Sequence, residues 1–255
     1  MQATIRRIVP AGLSFILAAV TLMPGVVAAE PVHGTPVSAA SIFCTNLPSR
    51  ATSQASRLAT LEANLSAAQS KHASTLQTNW SGYATKLSGL QSQWQTDRNT
   101  EYAKLTSLAK TSAEQQAVTT FESTVNAAIT ARESANAIAR TTYQNGVTVA
   151  ATTEASTVNT AATTLQSAIS GAVATAEASC QSDPSAGATI EATLTSAVTS
   201  AKQTYQTSVD TARSTYKSAV TALEAAEKAA INQNDATFQS ALQAATTTLK
   251  AAFSS

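Results

Sequence analysis

The sequence predicts an all-α fold: an elongated, antiparallel three-helix bundle, coiled-coil-like and built on an eleven-residue repeat, behind an N-terminal signal peptide. Three observations predict it. Only 8 glycines and 6 prolines stand in 255 residues, whereas a sheet protein needs turn chemistry every ten or so residues. Helix-start signals divide the chain into three long stretches. Apolar residues recur every eleven positions through each of them. The composition sets further limits. A net charge of +1 with 12% charged residues gives no electrostatic footprint for a phosphate backbone, so no nucleic-acid partner is expected. Aromatic residues make up 5% of the chain, so the core must be thin and built from Ala, Val and Leu.

The elements follow in order. Arg6 and Arg7 precede an apolar run from Ile8 to Val27, broken near its end by Pro24-Gly25, and Val27-Ala28-Ala29 offers small residues ahead of Glu30. This is the layout of a secretory signal peptide over 1–29. The rival is an uncleaved anchor, because the run is just long enough to span a bilayer. No cysteine ends the run, which argues against a lipoprotein. The expected location is extracytoplasmic: periplasm, cell surface or secreted. Residues 30–45 contain Pro31, Gly34, Pro36 and Cys44 and read as a tether, leaving 46–255 for the helical bundle.

Asn46-Leu47-Pro48 reads as a helix start with proline in the first turn, predicting a first helix over 48–109. Thr111-Ser112-Ala113-Glu114-Gln115 has capping-box spacing and predicts a second helix over 112–180. Asp183-Pro184 supplies an N-cap and a proline at the first helical position, predicting a third helix over 184–253. At about 1.5 Å per residue, each helix would be on the order of 100 Å long.

The repeat assigns the core. In the third helix Leu194, Tyr205, Tyr216, Phe238 and Leu249 share one phase, Val198, Val209, Val220, Ile231, Leu242 and Phe253 a second, and Ala201, Ala212, Leu223 and Ala245 a third. In the second, Phe121, Tyr143 and Leu165 form one column, and Val125, Val147, Val158, Ile169 and Cys180 another. In the first, Leu61, His72, Tyr83, Trp94 and Leu105 are eleven apart, as are Leu65, Leu76 and Leu87. Eleven residues in three turns give about 3.67 per turn, the period of nearly straight or gently right-handed packing. The phase breaks between Leu105 and Phe121, where a turn is expected.

A hairpin turning at about residue 112 places residue 44 opposite residue 180. Cys44 and Cys180, the only two cysteines, are therefore expected to form one disulfide at the end where the tether leaves. A second turn at about residue 182 brings Arg132 and Arg140 opposite the region of Glu224 and Glu227, predicting a polar layer of Arg–Glu pairs that fixes register.

No catalytic residue, cofactor or metal site is expected. His33 lies in the tether and His72 in a core column. Neither has a His, Cys or carboxylate at i+3 or i+4 to complete a metal pair. No glycine-rich phosphate loop or nucleophile elbow is present. Tyr83 and Trp94 fall on the apolar face. Trp80 and Tyr102 lie about 60° round from it, at the core edge, where an aromatic partner patch is the alternative to core.

Threonines repeat as well. Thr193, Thr204, Thr215, Thr237 and Thr248 form one column, Thr119, Thr130, Thr141, Thr152 and Thr163 a second, and Thr120, Thr142, Thr153, Thr164 and Thr175 run beside the latter. Thr at every eleventh residue of an Ala-rich helix resembles the ice-binding helices of fish antifreeze proteins, which implies an ice-facing surface. In the third helix these residues directly precede the core column, a flank expected to be half covered by a neighbour, with each hydroxyl bonding a carbonyl one turn back. The eleven-residue amphipathic pattern is also similar to that of exchangeable apolipoproteins and synucleins, which lie on lipid. Here the polar face is Ser, Thr, Gln and Ala, so charge-driven attachment is weak. The function expected is a non-enzymatic exported spacer or interaction protein with an envelope or surface partner. Self-association and membrane contact through an uncleaved signal stay open, lipid-surface binding is the runner-up, and ice binding is third.

Overall fold

The computed structural model describes residues 39–254. The signal peptide expected over 1–29 and the tether as far as residue 38 lie outside the described residues. The rest is helical: α1 spans Ala39–Leu108, α2 Ser112–Ser182 and α3 Gly187–Phe253, with a single 3-10 turn at Pro184–Ala186 before α3.

α1 begins earlier than its capping signal predicts. Pro48 lies inside the helix, and Cys44 belongs to α1 and not to a tether. An interior proline removes one helical hydrogen bond and costs about 3 kcal/mol. Burial of Phe43 and Leu47, at 3% and 1% exposure, offsets this by roughly 2 kcal/mol each. The disulfide at Cys44 holds the same turn. Here tertiary packing overrides a local stop.

Both corners use the predicted chemistry. The α1–α2 corner needs neither Gly nor Pro, because a reciprocal capping box closes it. Thr111 N donates to Glu114 Oε2 at 2.7 Å, and Glu114 N donates to Thr111 Oγ1 at 3.2 Å. Lys110 N adds a second donor to the same carboxylate at 2.7 Å. These backbone donors hold the Glu114 carboxyl below the usual range. At the second corner Asp183 Oδ1 accepts from Ser185 N at 3.0 Å, and Pro184 follows at the first position, where its missing N–H costs nothing.

The described chain divides into two compact units, each holding a piece of all three helices. The disulfide-bearing unit comprises the described residues up to Ala73 with Ala151–Lys217. The second comprises Ser74–Ala150 with the chain from Ser218 onward.

In the disulfide-bearing unit, Phe43 and Leu47 pack with Ala176, Cys180 and Ile190. Leu58 packs with Leu165, Ile169 and Val198, and Leu65 with Val158, Ala162, Val209 and Ala212. Numbers rise along α1 and α3 as they fall along α2, so α2 runs antiparallel to both. Cys44 and Cys180 are joined, with Cα atoms 5.5 Å apart. Arg50 pairs with Glu191 at 2.8 Å on the surface beside this end.

In the second unit, Tyr102, Val125 and Ala245 form the buried cluster, with Leu105, Phe121, Ile129 and Leu242 against it. Between residues 77 and 101 α1 contributes no buried residue, and neither does α3 between 221 and 244. Trp94, placed in a core column by its spacing, is 46% exposed, and Leu90 and Ile138 are also exposed. The contact of Thr106 with Glu122 sets a register that puts Trp94 level with about residue 134.

Candidate functional site

A groove of about 680 Å³ lies between α2 and α3 of the disulfide-bearing unit. Ala161, Leu165, Ala168, Ala197 and Ala201 give it an apolar floor, with Tyr205 beside them and Ser and Thr along the rims. Alanine makes the groove, because two helices facing each other through methyl groups leave unfilled space where larger side chains would interlock. Its hydroxyls are largely committed. Thr157, Thr164 and Thr204 donate to the carbonyls of Thr153, Thr160 and Ser200 at 2.9, 2.9 and 3.1 Å, so their methyls line the space.

The same bond recurs along the threonine columns. Thr119, Thr130 and Thr163 on α2, and Thr193, Thr237 and Thr248 on α3, each donate to the carbonyl four residues back at 3.0–3.1 Å. The phase of the α3 column predicts half coverage, yet all five of its threonines are exposed. A residue one step ahead of the core column needs a bulky neighbour to cover it, and small α2 side chains do not reach.

The disulfide-bearing unit also holds polar groups at one level, of which Glu154 is buried. His72 Nε2 lies 3.5 Å from Tyr216 Oη, with the rings edge-to-face at 6.0 Å. Burial lowers the His72 pKa from its usual value. Gln69 donates to Asn159 Oδ1 at 2.9 Å and to the Ala155 carbonyl at 3.4 Å. Glu154 is 2% exposed, and neither of its carboxyl oxygens has a hydrogen-bond partner. Burial raises its pKa, and the nearby charge of Arg213 opposes this more weakly. Glu154 is not among the residues that sequence reasoning singles out. The signal is present, because it is the only charged residue between Arg140 and Glu177.

Arg132 and Arg140, expected in a polar layer, lie in the second unit. Arg132 Nε stands 3.9 Å from Asp235 Oδ1, and its guanidinium lies 4.4 Å from the centre of the Phe238 ring. Asn234 donates to Asn136 Oδ1 at 2.9 Å. Arg140 is half-buried. Glu224 and Glu227 lie near Tyr143, whose phenol is pushed up by burial first and by these two charges second. The carboxylate that meets Arg132 is thus that of Asp235, beside Asn234.

Of the two aromatic residues expected at a partner patch, Trp80 is half-buried and Tyr102 is not available. Tyr102 is 8% exposed, donates to Asn126 Oδ1 at 3.3 Å and meets Phe121 edge-to-face at 6.2 Å. The phase break at the α1–α2 corner turns Phe121 toward it. The exposed aromatic of α1 is Trp94.

Among the described residues there is no group of three or more His, Cys, Asp or Glu side chains placed to hold a metal ion, and no helix is long and apolar enough to cross a membrane. Comparison with family models, with curated proteins and with solved structures finds no match to this chain.

Proposed function

We propose that the chain is a non-enzymatic, exported helical spacer or interaction protein at the cell envelope or surface. The observation that carries this reading is the length of the helices. They hold 70, 71 and 67 residues, far beyond the three or four turns of an ordinary globular helix. The mechanism is geometric: long helices of near-straight eleven-residue period hold an envelope or surface partner at a set distance from the N-terminal attachment. A sequence with few charges limits non-specific attraction. The signal-peptide pattern at the N-terminus and the Cys44–Cys180 bond support an extracytoplasmic location, since disulfides persist in oxidising compartments. The Arg132–Asp235 and Asn136–Asn234 contacts suit a register-fixing layer, because an Ala-rich repeat otherwise permits slippage by one period.

The second reading is a lipid-surface protein whose helices separate and lay their apolar faces on a membrane or lipid particle. The exposure of Leu90, Trp94 and Ile138 in the thinly packed unit favours it. Ice binding stands third, supported by the exposed threonine columns and opposed by hydroxyls already bonded to backbone. Liposome flotation of the oxidised mature protein separates the first two. The spacer stays in the soluble fraction, and the lipid binder floats, more so after reduction.

A further inference from the structure

We propose that Glu154 is a proton-loaded lock: the packed disulfide-bearing unit holds it as a neutral carboxylic acid, and loss of that proton loosens the unit. Two independent observations carry the proposal. The first is geometric. Glu154 is 2% exposed, and both carboxyl oxygens are buried without a hydrogen-bond partner. A carboxylate removed from water and given no donor is among the least stable groups a core can contain, whereas the neutral acid is tolerated. The second lies in the sequence. From residue 141 to 176 α2 has no charged side chain except Glu154. A helix whose exposed positions in this stretch are all uncharged places its single charged-type residue inside.

The surroundings offer little to a carboxylate. On α2, Val158 one turn on is completely buried and Ala161 follows it. From α3 comes Arg213, the one cation whose charge reaches Glu154, while Asp210 and Lys217 to either side of it are exposed. On α1, the bond from Gln69 to the Ala155 carbonyl fixes the level. The titratable groups there are Lys71, which is exposed, and His72, which faces Tyr216. Burial outweighs Arg213 in setting the protonation of Glu154.

The folded-state pKa of Glu154 lies above the unfolded value, so the stabilising contribution is complete below the ordinary glutamate range. It falls as pH rises through the interval between the two values. Within that interval the folding equilibrium drops by up to about tenfold per pH unit, the limit for one proton. Acid therefore tightens the unit at this site and alkali loosens it, opposite to a carboxylate paired with Arg213. This inference is independent of the spacer reading.

The test is thermal unfolding of the oxidised mature protein across about pH 4 to 9, comparing wild type with Glu154→Gln. Gln has the shape of the neutral acid. The variant should match wild type in acid and exceed it increasingly toward alkaline pH. A constant difference, or a wild type that gains on the variant as pH rises, overturns the proposal. Arg213→Met provides a second reading should the first variant not fold. It should extend the pH-dependent loss to higher pH, whereas a Glu154 kept ionised by Arg213 would give a wild type that gains stability as pH rises through the glutamate range, a gain that the variant loses. Infrared difference spectroscopy reads the proton directly. A protonated-carboxyl band that persists above the ordinary glutamate range in wild type and vanishes in Glu154→Gln is expected, and its absence from wild type refutes the lock.

Discussion

Opening the Cys44–Cys180 bond should be the most damaging change available that leaves every packed side chain in place. The cysteines are 136 residues apart in sequence. In the chain-entropy account, cross-linking a loop of that size stabilises the fold by about 5 kcal/mol. For a protein of this length each kcal/mol moves the melting midpoint by roughly 2–4 °C, so reduction should lower it by about 10–20 °C. The structure adds a local effect. Pro48 interrupts the helical hydrogen bonds of α1 at a cost of about 3 kcal/mol, and Phe43, Leu47 and the disulfide hold that turn against the end of α2. Reduced protein, or a Cys44→Ser/Cys180→Ser variant, should therefore lose amide protection first from the N-terminus of α1 to about Pro48. Circular dichroism melts and hydrogen exchange by mass spectrometry measure both effects. A midpoint unchanged within about 2 °C, a shift below 1 kcal/mol, together with full protection before Pro48, would refute the assignment of this bond as the clamp on an otherwise interrupted helix.

Glycines in the long helices separate open from crowded positions. A Cβ added at Gly82, Gly89 or Gly171 meets nothing within 4 Å, whereas one at Gly146 would press on the side chain of Leu223. Gly82→Ala, Gly89→Ala and Gly171→Ala should each stabilise by about 0.5–1 kcal/mol, and Gly146→Ala should lose that gain or fall below wild type. Urea unfolding curves give the four values. His72 makes an opposite prediction to Glu154. Because burial depresses its pKa, the neutral ring is favoured in the fold, the contribution of His72 to stability is complete above about pH 6.5, and that contribution falls as the pH drops below it. His72→Gln should flatten the acid side of the melting profile between about pH 4 and 6.5, and an unchanged acid slope would contradict the burial argument.

Much of the fold is legible in the sequence because helices announce themselves through period and caps. Val198, Val209 and Val220, which share one column of α3, are buried, and Val147, Val158, Ile169 and Cys180 of α2 are too. The capping box at Thr111–Glu114 and the cap at Asp183 are readable because they are local. The cysteine pairing follows from hairpin register alone. What fails depends on contacts between segments. Pro48 reads as a start because the burial of Phe43 and Leu47 against Cys180 is not visible locally. Tyr83 and Trp94 share a phase with Leu61 and Leu105, yet Trp94 is exposed because periodicity gives a direction and not the size of the partner. Tyr102 falls at an edge by phase, because the turn that brings Phe121 onto it alters the geometry beyond residue 108. Glu154 escapes notice for a different reason. It stands close to a column of apolar residues, Val147, Val158 and Ile169, and one polar residue beside such a column is easily passed over until its burial is seen.

The measurement that tests the spacer reading most directly is small-angle X-ray scattering of the oxidised mature protein across a concentration series. With helices of 70, 71 and 67 residues, the spacer reading predicts a longest dimension on the order of 100 Å, unchanged by dilution. A compact particle with a radius of gyration near the roughly 18 Å of a globular domain of this length would contradict it.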